Sequence, residues 1–322
     1  MKAIQIHSTG GPEVLQLVDL PIPEPGPGQV LVRIEATGVN FVEIYFRKGV
    51  YKSALPFVPG SEAAGTVEEL GPGVTEFKPG DEVASTSFMG SYAEYALVPT
   101  AQLIKVPEGL SLEHAAAAML QGMTAHYLSH STWPLKAGET ALVHAGAGGV
   151  GLLLTQMATH IGARVITTVS TQAKAELSRE AGASDVILYT EQNFETEVKR
   201  ITNGKGVDVV YDSVGKTTFD QSLNCLRPRG LLALFGASSG PVPPFDLIQL
   251  NSKGSLYVTR PTLWHYIATR AELEWRAGDV LGLAASGQLK LRTEHTYPLA
   301  EAAQAQIDLE ARKTTGKILL VP

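Results

Sequence analysis

The run Ala141-Leu142-Val143-His144-Ala145-Gly146-Ala147-Gly148-Gly149-Val150-Gly151 places Gly146, Gly148 and Gly151 at the G-x-G-x-x-G spacing. A strand-like apolar stretch precedes it and a helix-like stretch follows, the context that raises this spacing above a chance match. The chemistry it suits is the binding of a dinucleotide pyrophosphate. Gly146 is expected to permit the tight turn and Gly148 to let backbone approach the phosphates. Gly151 is expected to bring helix close to strand, and the helix N-terminus supplies N–H donors and positive potential.

A second set of residues bears on which dinucleotide is bound. In NAD sites an acidic side chain about twenty positions further on holds the ribose 2′-hydroxyl. Here the next strand ends in Val169-Ser170-Thr171-Gln172-Ala173-Lys174, with no carboxylate to repel a 2′-phosphate. Ser170 and Thr171 offer hydroxyls and Lys174 a cation, which favours NADPH. Ser170 and Thr171 could also serve simply as helix caps. Tyr189, closing the following strand, could flank the adenine or its phosphate.

Catalytic zinc would need three protein ligands such as Cys, His and Glu. The chain has one cysteine, Cys225, and eight scattered histidines. Asn40 stands in Gly38-Val39-Asn40-Phe41-Val42-Glu43 and Ser61 in Gly60-Ser61-Glu62, where thiol and imidazole ligands would be sought. No metal site is expected.

Elements must hold these residues. Residues 1–110 read as short strands (Ala3–His7, Gln29–Thr37, Ala64–Leu70, Glu82–Ser85, Glu94–Pro99) broken by proline and glycine, as in an antiparallel, partly closed β domain. A helix starts near Ser111. From about residue 125, strands and helices alternate, predicting βαβ units and a parallel sheet. After residue 260 the pattern is mixed, ending in a strand over Thr315–Val321 that could complete the first domain. The fold class is α/β.

With 322 residues, two domains are expected. The net charge of −6 argues against a nucleic-acid partner. No polybasic run, apolar span or signal-like N-terminus is seen, so a cytoplasmic location with no membrane partner is the expectation.

Stretches nearly end to end carry a more specific signal: Gly10-Gly11-Pro12-Glu13-Val14-Leu15, Gly38-Val39-Asn40-Phe41, Gly60-Ser61-Glu62-Ala63-Ala64-Gly65, Gln121-Gly122-Met123-Thr124-Ala125, Val210-Tyr211-Asp212-Ser213-Val214-Gly215 and Gly254–Pro261. On these the chain resembles the zinc-free quinone oxidoreductase group, which includes zeta-crystallin, of the medium-chain dehydrogenase/reductase superfamily. The resemblance implies a GroES-like β-rich catalytic domain over 1–125 and 261–322. It also implies a Rossmann doubly wound parallel sheet domain over 126–260, NADPH as cofactor and a homodimer. Cofactor contacts would fall on Phe41, Tyr45, Thr124, Tyr127, Gly149, Val150, Ser170, Thr171, Lys174 and Tyr189. Ser213, Phe235, Gly236, Ser238, Arg260, Thr262 and Arg312 would complete them. Gln121 departs from relatives that carry lysine there.

Asn40, Tyr45 and Tyr51 resemble in placement the family's active-site polar residues and are expected to orient a carbonyl, with Tyr51 the better proton donor. The tyrosines could equally form an aromatic wall, and Asn40 could stabilise a turn. The implied reaction is hydride transfer from NADPH to a quinone without a metal. Alternatives are reduction of an enone or alkenal double bond, a non-catalytic NADPH-binding sensor, and an RNA-binding or crystallin-like role.

Overall fold

The structure is a computed structural model describing residues 1–322, and it divides into two compact units. One comprises Met1–Met123 with Ile267–Pro322; the other is Thr124–Tyr266.

In the first unit, β1 (Lys2–Gln5) and β2 (Gln16–Asp19) pair as an antiparallel ribbon. The long β3 (Gln29–Val39) then forms the spine of a larger sheet. Its alternating Val30, Val32 and Ile34 are buried, packing with Val67, Val83 and Val98. Directly after β3 the chain turns into a short helix, α1 (Phe41–Arg47). Asn40 and Glu43 carry the reason: Asn40 is the N-cap and Glu43 the third helical residue, whose Oε2 accepts the Asn40 N–H at 2.9 Å. The sheet continues with β4 (Ala63–Leu70), β5 (Glu82–Ser85), β6 (Tyr95–Pro99) and β7 (Ile104–Lys105). A helix, α2 (Leu112–Tyr127), follows, and the division between units falls within it.

The second unit runs β8 (Thr140–His144), α3 (Gly149–Ile161), β9 (Arg164–Val169), α4 (Gln172–Glu180), β10 (Asp185–Leu188), α5 (Phe194–Ile201) and β11 (Val207–Asp212). Then come α6 (Phe219–Cys225), β12 (Leu226–Leu234), α7 (Ile248–Ser252) and β13 (Tyr257–Thr259). All six strands pair in parallel, in the order β10-β9-β8-β11-β12-β13. The first three run outward from β8 to β10, and β11 then starts on the other side of β8, so the switch point lies between β8 and β11. That is the strand order of a dinucleotide-binding fold, with ligands expected beyond the carboxyl ends of the central strands. The core is built from continuous apolar strands, with Leu142, Ile166, Val210 and Leu232 buried together.

The chain then completes the first unit with α8 (Arg270–Ala285), β14 (His295–Pro298), α9 (Ala302–Glu310) and β15 (Ile318–Val321). β15 pairs antiparallel with the end of β3, Ile318 opposite Val39. Residues 261–266 stay with the second unit rather than the first. Tyr266 stacks on Tyr127 with ring centroids 4.4 Å apart, and its hydroxyl accepts the Thr132 hydroxyl at 2.9 Å.

Candidate functional site

The glycine turn leaves β8 and enters α3 through Gly148, the N-cap, so Gly149, Val150 and Gly151 form the first helical turn and aim backbone N–H groups forward. Gly146 and Gly151 are required sterically. A Cβ on Gly151 would lie 2.2 Å from the Ala145 carbonyl oxygen, and one on Gly146 would lie 2.5 Å from the Thr167 Cβ. Gly148 is less confined, with Ala145 O at 3.2 Å. The expectation that Gly146 supplies the turn's special backbone conformation needs correcting. The left-handed residue is Ala145, at φ +54°, and Gly146 is small because β9 and α4 press on it. The turn is tied down by Gly146 N–H to Thr168 O at 3.0 Å and Gly148 N–H to Ala145 O at 2.9 Å.

The neighbouring strand ends bring up the remaining nucleotide candidates. Thr171 caps α4, its Oγ1 accepting the Lys174 N–H at 3.3 Å, so the capping reading holds for this residue. Ser170 lies just before it, its carbonyl accepting the Thr190 hydroxyl at 3.0 Å. Tyr189 directly follows β10 and is 39% exposed. Ser213 follows β11, and the Ser238 N–H donates to its carbonyl at 3.1 Å. Gly236 is pressed against it, since a Cβ there would meet Ser213 O at 2.5 Å. Phe235 donates its N–H to Asp212 O at 2.9 Å. Arg260 spends one guanidinium donor on Leu234 O at 2.8 Å, and Thr262 caps the turn after it. The second unit thus gathers Gly146–Gly151, Ser170–Lys174, Tyr189, Ser213, Phe235–Ser238 and Arg260 at one carboxyl edge of its sheet.

Thr124 and Tyr127 are placed differently. Both are buried on α2, Tyr127 only 2% exposed with its ring against Tyr266. Arg312, exposed after α9 at φ +57°, belongs to the first unit.

In the first unit Asn40, Phe41, Tyr45 and Tyr51 are brought together by α1 and the turn after it. The Tyr45 and Tyr51 rings meet edge to face at 5.4 Å, Phe41 lies 6.4 Å from Tyr45, and Phe46 lies 5.6 Å from Tyr51. The Tyr51 N–H donates to Tyr45 O at 3.2 Å, and the Tyr51 side chain is 41% exposed. Asn40 is 6% exposed and committed inward. Its Oδ1 accepts the Lys317 ammonium at 2.7 Å and its Nδ2 donates to Glu62 Oε2 at 2.9 Å.

Sequence reasoning missed the partners of Asn40. Lys317 is also paired directly with Glu62, both almost wholly buried, and Glu62 Oε1 accepts the Leu120 N–H at 2.5 Å. Glu43 completes the cluster; burial is the main force pushing its carboxyl up to about 7, opposed by Lys317 and reinforced by Glu62. The Asn40-x-x-Glu43 capping signature was visible in the chain, whereas Glu62 and Lys317, 255 residues apart, carry no local signal. The positions where a thiol and an imidazole ligand would be sought hold Asn40 and Ser61, and no group of three His, Cys, Asp or Glu side chains is assembled to hold a metal ion. Burial pushes the lone thiol, Cys225, up to about 12, which leaves it without nucleophilic character.

Comparison with known proteins agrees with both halves. Residues 26–108 match the alcohol dehydrogenase GroES-like domain and residues 149–273 the zinc-binding dehydrogenase family. A quinone oxidoreductase of Pseudomonas aeruginosa is 47% identical, the alignment covering 100% of this chain and 99% of the relative. The chain belongs to the zinc-free quinone oxidoreductase group of the medium-chain dehydrogenase/reductase superfamily. Its likeness to the solved Escherichia coli quinone oxidoreductase complexed with NADPH has a TM-score of 0.98 at 43% identity, over 100% of both chains. A 2-haloacrylate reductase from Burkholderia sp is 44% identical over 99% of this chain and 98% of the relative.

Proposed function

We propose that the chain is an NADPH-dependent quinone oxidoreductase. The observation that carries the cofactor reading is the turn Gly146–Gly151 at the switch point, next to a β9 loop with a hydroxyl pair and Lys174 and no carboxylate. The names of full-length relatives support the substrate reading. The residues present suit the cofactor: the first-turn N–H groups of α3 face forward, and Gly146 and Gly151 let the turn pack closely on β9 and on the start of α3 where a Cβ would collide.

When bound, NADPH supplies a hydride, and the organic chemistry of that step is its own. The protein's residues bind, orient and exclude water. Tyr45 and Tyr51 form an aromatic pair beside α1, and Tyr51 is the exposed hydroxyl that orients a carbonyl oxygen or returns a proton to it. Asn40 has both ends of its amide engaged by Lys317 and Glu62, so its part is to fix the start of α1 and hence Tyr45. A quinone needs little more than this, because the anion formed after hydride addition is delocalised over an aromatic ring.

A second reading is favoured by the 2-haloacrylate reductase relative: reduction of an activated carbon–carbon double bond, in which carbon rather than oxygen receives the proton. That reaction leans harder on a positioned donor, so Tyr51 would matter more. The two separate in one assay, following NADPH and NADH oxidation with an ortho-quinone, a para-quinone or an alkenal, with and without chelator. Quinone turnover that prefers NADPH and ignores chelator supports the first reading, and alkenal-only turnover replaces it with the second. NADPH binding without turnover leaves a sensor.

We also propose a cytoplasmic homodimer. No helix is long and apolar enough to cross a membrane. β13 ends its sheet with Tyr257 58% exposed, leaving a strand edge able to pair with a second copy. Light scattering of the wild type and of Val258→Pro tests this: a dimer that becomes a monomer is the expected result.

A further inference from the structure

His144 is the last residue of β8, wholly buried, and takes no part in the reaction proposed above. Both of its ring nitrogens are engaged. Nδ1 lies 2.9 Å from the Thr168 hydroxyl near the end of β9, and Nε2 lies 2.9 Å from the Ser222 hydroxyl on α6. Ser222 in turn donates to Asp212 Oδ2 at 3.3 Å, and the Thr218 hydroxyl donates to the same oxygen at 2.7 Å. Asp212, the last residue of β11, accepts the Val214 and Gly215 N–H groups on Oδ1 at 2.7 and 3.0 Å.

The direction of this chain follows from its acidic end. Ser222 has one proton, and giving it to Asp212 leaves its oxygen to accept from His144. The imidazole is therefore protonated on Nε2, and Nδ1 accepts from the Thr168 hydroxyl. Burial holds the ring neutral, with the Asp212 charge opposing, and Phe194 of α5 packs edge-on at 4.8 Å. The donors Thr168, His144 and Ser222 all point the same way, towards one carboxylate.

Each strand end joined by this chain immediately precedes a loop assigned above to the cofactor. Thr168 lies two residues before Ser170, and its carbonyl also holds the Gly146 N–H at 3.0 Å. His144 comes two residues before Gly146, and Asp212 comes next to Ser213. The Asp212 carbonyl gathers a fourth loop by accepting the Phe235 N–H. Resting on the reading of these loops as the NADPH site, we propose that His144 is a positioning residue, fixing the β8, β9 and β11 loops against one another through Thr168, Ser222 and Asp212. It touches no ligand. Its effect is to keep the glycine turn and the Ser170–Lys174 loop in the one arrangement that spans a pyrophosphate and a 2′-phosphate together.

The test measures NADPH and NADH dissociation constants by fluorescence titration, and Tm without ligand, for wild type, His144→Leu, His144→Gln and Ser222→Ala. Leucine removes both ring bonds and strands two hydroxyls, while glutamine can restore the donor to Ser222. His144→Leu should weaken NADPH binding about tenfold and narrow the NADPH-over-NADH preference, with His144→Gln recovering most of both. Ser222→Ala, a smaller change that keeps the fold, should weaken NADPH in the same direction. Should His144→Leu or Ser222→Ala lower Tm yet leave the NADPH constant and the preference unchanged, His144 is only a core residue and the proposal fails. Absence of NADPH binding by the wild type would instead overturn the cofactor reading on which it rests.

Discussion

Gly151→Ala offers the sharpest test of how the glycine turn works. The added methyl carbon would lie 2.2 Å from the Ala145 carbonyl oxygen, 3.0 Å from its carbon and 3.1 Å from the Gly146 Cα. Relaxed contacts between non-bonded heavy atoms need about 3.5 Å, so turn and helix must separate by about 1 Å. Rotation of a side chain cannot absorb this, because every atom in the way is backbone. The Ala145 oxygen is also the acceptor for the Gly148 N–H at 2.9 Å, so the bond that shapes the phosphate-facing end of the turn is lost as well. Overpacking of this kind costs about 1–3 kcal/mol, and the broken hydrogen bond about 1 kcal/mol more. A displacement of this size at a binding loop costs about a hundredfold in function. NADPH titration by fluorescence, alongside thermal denaturation, should show both losses. Gly148→Ala is the complementary case, since its methyl would sit at 3.2 Å from Ala145 O, a contact that a small adjustment relieves. It should bind NADPH more weakly with Tm little changed. If Gly151→Ala binds NADPH within about threefold of wild type, a difference under about 0.7 kcal/mol, the steric argument is wrong.

Other consequences follow from the first unit. Glu43 is held near 7 against 4.5 for a free side chain, so between those pH values the folded protein retains a proton that the unfolded chain loses; stability from this group is complete below pH 4.5 and falls by about 3 kcal/mol as pH rises through 7. Urea midpoints at pH 5 and pH 8 should therefore fall for the wild type, and Glu43→Gln should remove that fall; equal pH dependence in both would refute it. Lys317→Met leaves the buried Glu62 without its cationic partner, and should destabilise the protein by about 3–5 kcal/mol in denaturant titration. Tyr51→Phe should lower kcat for an alkenal about tenfold or more while changing quinone turnover much less, because only the former needs a positioned proton donor.

Much of the second unit was legible in the chain. Strands and helices alternate between Thr140 and Leu234, as the sequence pattern from about residue 125 predicts. A parallel sheet buried on both faces writes itself as continuous apolar strands, and the Gly146–Gly151 spacing marks where its first strand ends. The missing acid at the end of β9 is likewise a local fact. α1 escaped notice because it is one short helix after an eleven-residue strand, although Asn40 and Glu43 spelled its cap.

What the tertiary structure alone decided are contacts between residues far apart. Local sequence cannot show that Lys317, near the C-terminal end, returns beside β3 to meet Glu62 and Asn40, because that depends on β15 pairing with β3. Nor could it show that Ala145 rather than Gly146 adopts the left-handed conformation, since crowding by Thr167 and Ser178 determines which residue must stay small. His144 is one of eight scattered histidines in the chain, and it became a junction only when three strand ends were laid side by side. Periodicity and turn chemistry act over a few residues and so are written in the chain. The partners of a buried polar group are chosen by strand order and register, which arise only when distant segments share a core.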